Sequence, residues 1–351
     1  MGSDSRDHHR PDAAATTRHR RLLPWGLFLL APYVGEFVLG NQPITAFPLT
    51  LILLAPMYGG GALLIRETVR RSRGGWPAIM TLAAAYALVE EGLVDQMITD
   101  PAYLGLDSFA GHATVLGISL TLTAASLTLH TVWSICVPIA ILEAFDPDPP
   151  RPWLRRRGLV VTSAVFLLGS FVLAFLQYEK FRFVSDPAQS AMIGAAILVL
   201  VAIAAVIMRR PVAYRRTVRS VGHRRSVPSP LRVGLAGFVL SSCYWVPELV
   251  GDDHLAPWLA IAVWALFVVG CGALLRRASN HPAWGRMHRL ALASGVLFTY
   301  AWAAVVNTAF LGLPPLIGAV GNLVFGASAV ALVVTAVWIV RRRSVVISDF
   351  S

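Results

Sequence analysis

"RRRGLVVTSAVFLLGSFVLAFLQYEK", residues 155–180, decides the architecture. Between Arg157 and Glu179 no side chain is charged, and a helix of about 20 such residues crosses a hydrocarbon core about 30 Å thick. Arginines crowd one end of the run, while Lys180, the only lysine in the chain, stands at the other.

The same unit recurs along all 351 residues. The chain is 56% hydrophobic and 14% charged, with a mean hydropathy of +0.63, whereas a soluble domain keeps about 25% of its residues charged. Hydropathy predicts ten spans, near 23–40, 48–65, 77–96, 113–142, 159–177, 190–208, 233–250, 256–275, 289–307 and 317–340. The fold class expected is therefore all-α, a polytopic transmembrane helical bundle. Arginine clusters at 66–73, 151–157, 209–232, 276–289 and 341–343 fall on alternate loops, together with the basic N-terminus. The other loops hold Lys180 and Arg182 with Asp100, Asp107, Asp186, Asp252 and Asp253. By the positive-inside rule both termini lie in the cytoplasm, with the chain in the plasma membrane.

The expected organisation is a disordered basic tail over 1–22 and a helical domain over 23–340. That domain divides into halves 23–208 and 233–340, joined by the basic loop 209–232, and a short tail follows at 341–351. The net charge of +11 resides in these connectors, which suits anionic lipid headgroups and excludes a nucleic-acid face. Cys136, Cys243 and Cys271 fall inside apolar runs without metal-ligand spacing, so they read as small core residues, and neither metal nor cofactor is expected.

Short words repeat at a nearly constant offset. "VGEFV" at 34–38 resembles "VPELV" at 246–250, and "GALLIR" at 61–66 resembles "GALLRR" at 272–277. Six spans separate the copies, which suggests a parallel repeat of spans 1–4 and 7–10. The second copy of "YALVEEG" is "TYAWAAVVN", ending in Asn307 with no carboxylate, so chemistry concentrates in the first half.

The costly residues lie in "YALVEEGLVDQ", 86–96. Ionisable groups within a bilayer mark functional sites. At 100° per residue Glu90 and Glu91 point in different directions; Glu91 shares a face with Asp95 and Glu90 with Tyr86. In the next span Ser119, Thr123, Ser126, His130 and Ser134 form one polar stripe, and antiparallel packing brings His130 to the glutamates. Glu36, in the outer part of the first span, is a further acid that can join them.

"EEGLVD", followed some forty residues later by an embedded histidine, resembles the CAAX-protease and bacteriocin-processing family of glutamate-dependent intramembrane peptidases. The resemblance implies Glu90 and Glu91 as the paired acids, one activating water, with His130 stabilising the oxyanion or relaying a proton. It covers residues 86–134. Asp95 stands where that pattern has arginine, Ser126 where it has phenylalanine, and no later span supplies its third histidine element. The whole chain is also similar to multi-pass proteins of GC-rich Gram-positive bacteria. Three readings follow: a hydrolase, a transporter with protonatable glutamates and a cavity between the halves, or a scaffold whose carboxylates only join helices. The candidate catalytic residues are Glu90, Glu91 and His130, supported by Glu36, Tyr86, Asp95, Ser126, Ser134 and Asn307.

Overall fold

The computed structural model describes residues 13–103, 109, 111–146, 151–209, 227–250 and 256–348. Ten helices run through them. Helix α1 (Ala13–Pro32) continues into a π-helical turn, Tyr33–Val38. It is followed by α2 (Leu49–Arg71) and by α3 (Trp76–Leu88), which ends in a second π turn, Val89–Val94. Helix α4 is one rod in three stretches: Leu120–Leu129, a π turn His130–Cys136, and Val137–Phe145. Then come α5 (Arg156–Phe181), α6 (Pro187–Arg209), α7 (Pro230–Val250), α8 (Pro257–Ser279), α9 (Arg286–Phe310) and α10 (Pro315–Ser348). Eight of them, all but α1 and α7, are long and apolar enough to cross a membrane. The protein is an all-α, multi-pass membrane protein.

The bundle has an inner and an outer layer. Helices α2 and α3 bury 61% of their apolar windows, α5 and α6 only 11%, and α8 none. Apolar side chains left exposed on a spanning helix, such as Phe171, Leu198 and Leu266, suit contact with lipid. Cys243 is exposed, and Cys136 and Cys271 are half-buried, so none of the three cysteines, which are free, has the full core placement expected.

Small residues set the inner packing, because membrane helices associate through close backbone approach rather than through apolar burial alone. A Cβ on Gly59 would overlap the carbonyl of Phe28, so α1 and α2 touch backbone to backbone there. Gly59→Ala is expected to lower stability by about 3 kcal/mol, the upper end for overpacking, read as a drop in melting temperature in detergent. Gly270→Ala, where a Cβ meets nothing within 4 Å, serves as the control and gains up to about 1 kcal/mol of helix propensity.

Aromatic rings fill the seam between the halves. Trp133 of α4 stacks on Tyr300 of α9 with ring centroids 5.1 Å apart and meets Tyr244 of α7 at 5.7 Å. Its indole N–H donates to the Val296 carbonyl at 2.9 Å.

Three boundaries differ from the sequence reading. Residues 13–22, assigned to a disordered tail, are helical: the alanines at 13–15 favour helix, and Arg20 pairs with Asp146 at 3.4 Å. The fourth span begins at Leu120 rather than 113, because Thr114–Val115 and Ile118–Ser119 form a hairpin. Leu116 and Gly117 turn it at positive φ, and the Ser119 hydroxyl caps α4 by accepting from the Leu122 N–H. The last helix runs on to Ser348, through most of the predicted tail. Most of the basic connector, 210–226, and residues 1–12 lie outside the described residues.

Candidate functional site

The three π turns carry the acids and the histidine of one buried cluster in the first half. In a π turn the N–H bonds five residues back instead of four, as Asp95 does to the Glu90 carbonyl at 2.8 Å and Asn41 to the Glu36 carbonyl at 2.8 Å. One extra residue per turn narrows the angle between neighbouring side chains, and such turns gather at functional sites. Here they place Glu36 on α1, Glu90 and Glu91 on α3, and His130 and Ser134 on α4. His130 lies 15 residues before the end of its rod, roughly 22 Å up the helix axis.

The imidazole bridges the two glutamates. Its Nε2 is 2.7 Å from Glu91 Oε1, and its Nδ1 is 2.9 Å from Glu90 Oε2 and 3.1 Å from the Ser134 hydroxyl. The expectation that Glu90 and Glu91 point apart is therefore corrected: the π turn closes their angle, and the imidazole offers a nitrogen to each. The Nδ1–Glu90 approach lies off the N–H direction, so it acts as an electrostatic contact while Ser134 holds the better hydrogen-bond geometry. All four side chains are buried, Glu90 at 1% exposure and Glu91 at 9%.

A second acid joins through a tyrosine. Tyr58 of α2 donates its hydroxyl to Glu36 Oε1 at 2.6 Å, and Gln42 donates to Oε2 at 3.3 Å. The Tyr58 ring is 6.1 Å from the His130 ring and 6.2 Å from Tyr86. Gly35 makes room for this, since a Cβ there would press on the Ser134 hydroxyl and the Tyr58 ring. Tyr58 and Gly35 were missed in sequence; nothing in an apolar run marks a tyrosine or glycine as part of a site.

The other expected residues divide. Tyr86 stays at the centre, its ring 6.2 Å from that of Tyr58 and its phenol against Glu90, the neighbour expected for it. Ser126 is buried and unpartnered. Asp95 closes the α3 turn at an intermediate exposure and remains within electrostatic reach of Glu91, Glu90, Glu36 and His130. Asn307 is apart from the imidazole: its amide donates to Asn41 at 2.7 Å and to the Leu39 carbonyl at 3.3 Å, joining α9 to the loop after α1.

Two physical features mark the centre. Glu36, Glu90 and Glu91 carry three potential negative charges against one imidazole, and among the described residues no arginine or lysine pairs with them. Glu90 Oε1 and Glu91 Oε2 are buried without any hydrogen-bond partner. Unsatisfied buried acceptors are costly and are retained where a ligand, proton or water uses them. Among the described residues no cluster of three or more His, Cys, Asp or Glu side chains has the arrangement of a metal site.

A second polar cluster occupies the arginine-rich end. Arg70 grips Glu143 in a two-point fork, at 2.7 Å from Nε and 2.7 Å from Nη2. Arg66 reaches Glu143 at 3.2 Å and Glu67 at 2.6 Å, with its guanidinium 3.4 Å above the Trp153 ring. Glu67 accepts from the Trp153 and Leu154 backbone N–H groups at 2.9 and 3.1 Å, and Asp146 from the Trp153 indole at 2.6 Å. The cluster joins α1, α2, α4 and the segment before α5. In sequence its arginines read only as a topology signal; the signal that could have found the cluster is the acids on the arginine-rich side, in "IRETVRR" and "ILEAFD".

No family model, curated protein or solved structure matches the chain, so the centre is interpreted from its own geometry.

Proposed function

We propose that the protein is an intramembrane hydrolase whose centre is Glu90, Glu91 and His130. The observation that carries the reading is the imidazole held between two buried carboxylates at 2.7 and 2.9 Å. Glu91 is the base: its Oε2 is free to accept a proton from water as the water oxygen bonds to a substrate carbonyl carbon. His130 passes that proton to the departing group as the carbon–nitrogen or carbon–oxygen bond breaks. Glu90 and Ser134 hold the ring in place, and the substrate class is a peptide or acyl bond presented within the membrane.

In this reading ten helices cross the plasma membrane, α1 and α7 included, with both termini in the cytoplasm and the basic loops against anionic lipid. The halves are a diverged duplication. Gly61 of the first copy packs on Tyr86, whereas its counterpart Gly272 meets nothing within 4 Å, which suits chemistry kept in one half only. The ring-filled seam around Trp133 weighs against a transport path between the halves. A purely structural role leaves the unpartnered Glu90 and Glu91 oxygens without a reason.

The test is hydrolysis in water enriched in oxygen-18. Purified protein in vesicles, given a mixture of hydrophobic membrane-segment peptides, is expected to produce new carboxyl termini bearing the heavy isotope. Solute flux without any labelled product would instead establish the transporter.

A further inference from the structure

The buried centre needs a supply of water and protons, and the two ends of the bundle are not equivalent as routes. At the arginine-rich end the Arg66–Glu67–Arg70–Glu143–Asp146 cluster is closed by ion pairs, and Arg66, Glu67 and Asp146 are each 0% exposed. The opposite end is built differently. There Gly40, at φ +81°, turns the chain after α1 against α9 and α10, where a Cβ would strike Thr308 and the Asn322 amide. Under this turn lies a cleft of about 10 Å³ with a mostly apolar lining, Pro43, Ile44 and Phe325 among it, and with Gln42, Thr308 and Asn322 as its polar members. That is room for about one water molecule.

We infer that this cleft is a water and proton port feeding the acid and imidazole centre from the arginine-poor face. The polar groups run inward in order. Asn322 donates to the Thr308 hydroxyl at 3.2 Å on the cleft wall. Gln42, on the same wall, donates to Glu36 at 3.3 Å, and Glu36 accepts from Tyr58 at 2.6 Å. The Tyr58 ring then lies 6.1 Å from that of His130. Tyrosine and carboxylate both give and take protons, so the bonded chain carries a proton as far as Tyr58, and in this proposal a water bridges the remaining step to His130. On the flank, Phe37, Phe47 and Phe325 pack edge to face at centroid separations of 5.4 to 5.8 Å, an apolar wall that separates the cleft from hydrocarbon. This assigns Glu36 and Gln42 a task distinct from the catalytic pair. The route goes beyond the hydrolytic reading, because any chemistry at His130 needs it.

The experiment measures access rather than turnover. Cys136, Cys243 and Cys271 are replaced by alanine, and Gln42→Cys or Glu36→Cys is introduced singly into protein in vesicles of one orientation. Silver ion, small enough to follow water, is added to one face, and thiols left unblocked are then counted with a maleimide in denaturant. Silver on the arginine-poor face is expected to block both thiols at least about tenfold faster than silver on the other face. Asn322→Phe, filling the cleft, is expected to slow blocking of Glu36→Cys by about tenfold, a barrier increase of about 1.4 kcal/mol. Tyr58→Cys serves as the deep reporter where Glu36→Cys does not fold. Blocking of the deep thiol only from the arginine-rich face, or of Gln42→Cys without the deep thiol, would overturn the port. Failure of hydrolysis would leave the silver result unchanged, so the two proposals fall separately.

Discussion

Under the proposed hydrolase, Glu91→Gln is expected to lower turnover by about two to four orders of magnitude, the usual contribution of a positioned general base, while the melting temperature stays level or rises. The first half of that result follows from chemistry. Glutamine keeps the shape and still accepts from His130 Nε2 through its carbonyl oxygen, yet it cannot take a proton from water. The second half follows from the charge count. Glu90 and Glu91 flank one imidazole with Glu36 and Asp95 close by, and no arginine or lysine among the described residues pairs with the three glutamates, so removing one acid relieves repulsion in a buried setting. Active centres commonly show this exchange of stability for activity. Measuring turnover in vesicles beside thermal unfolding in detergent separates the readings. A scaffold whose acids merely join helices predicts the opposite, an unchanged background activity and a lower melting temperature. Glu90→Gln is expected to fall between, since Glu90 contacts Nδ1 off the hydrogen-bond direction and acts on ring position rather than on water.

The convergence of Glu90, Glu91 and His130 was legible in sequence because it needs only two facts, the cost of acids in hydrocarbon and the antiparallel order of neighbouring helices. What periodicity misses is the π turn. A pattern of 3.6 residues per turn sends Glu90 and Glu91 to different faces, and only the five-residue bond from Asp95 to Glu90 reconciles them with one imidazole. Tyr58 left no signal, being one aromatic residue among many in an apolar run. Its role depends on Gly35 being small on a different helix, a pairing that exists only in three dimensions. Asn307 illustrates the reverse: it was singled out for its polarity, and it bonds the loop after α1 rather than the centre.

The arginine-rich end carries the other large effect. Glu143→Ala is expected to lower stability by about 3–5 kcal/mol, the cost of breaking a buried ion pair from one side. Glu143 is the shared acceptor for Arg66 and Arg70, taking three N–H contacts at 2.7 to 3.2 Å. Deleting it leaves the Arg70 fork without its carboxylate and strips Arg66, wholly buried, of one of its acids. Because the charges are buried, the loss should persist in high salt, where a surface pair would already be screened. Glu179→Ala provides the contrast: its partner Arg182 is 63% exposed along the side chain, and such pairs contribute about 0–1 kcal/mol. Replacing both partners, as in Glu143→Leu with Arg70→Met, removes the stranded charge and should recover much of the stability. Recovery of folding without any change in the silver-accessible face would make the cluster a structural clasp. Reactivity of the deep thiol newly appearing from the arginine-rich side in the double variant would make it the seal that gives the bundle its one-sided access.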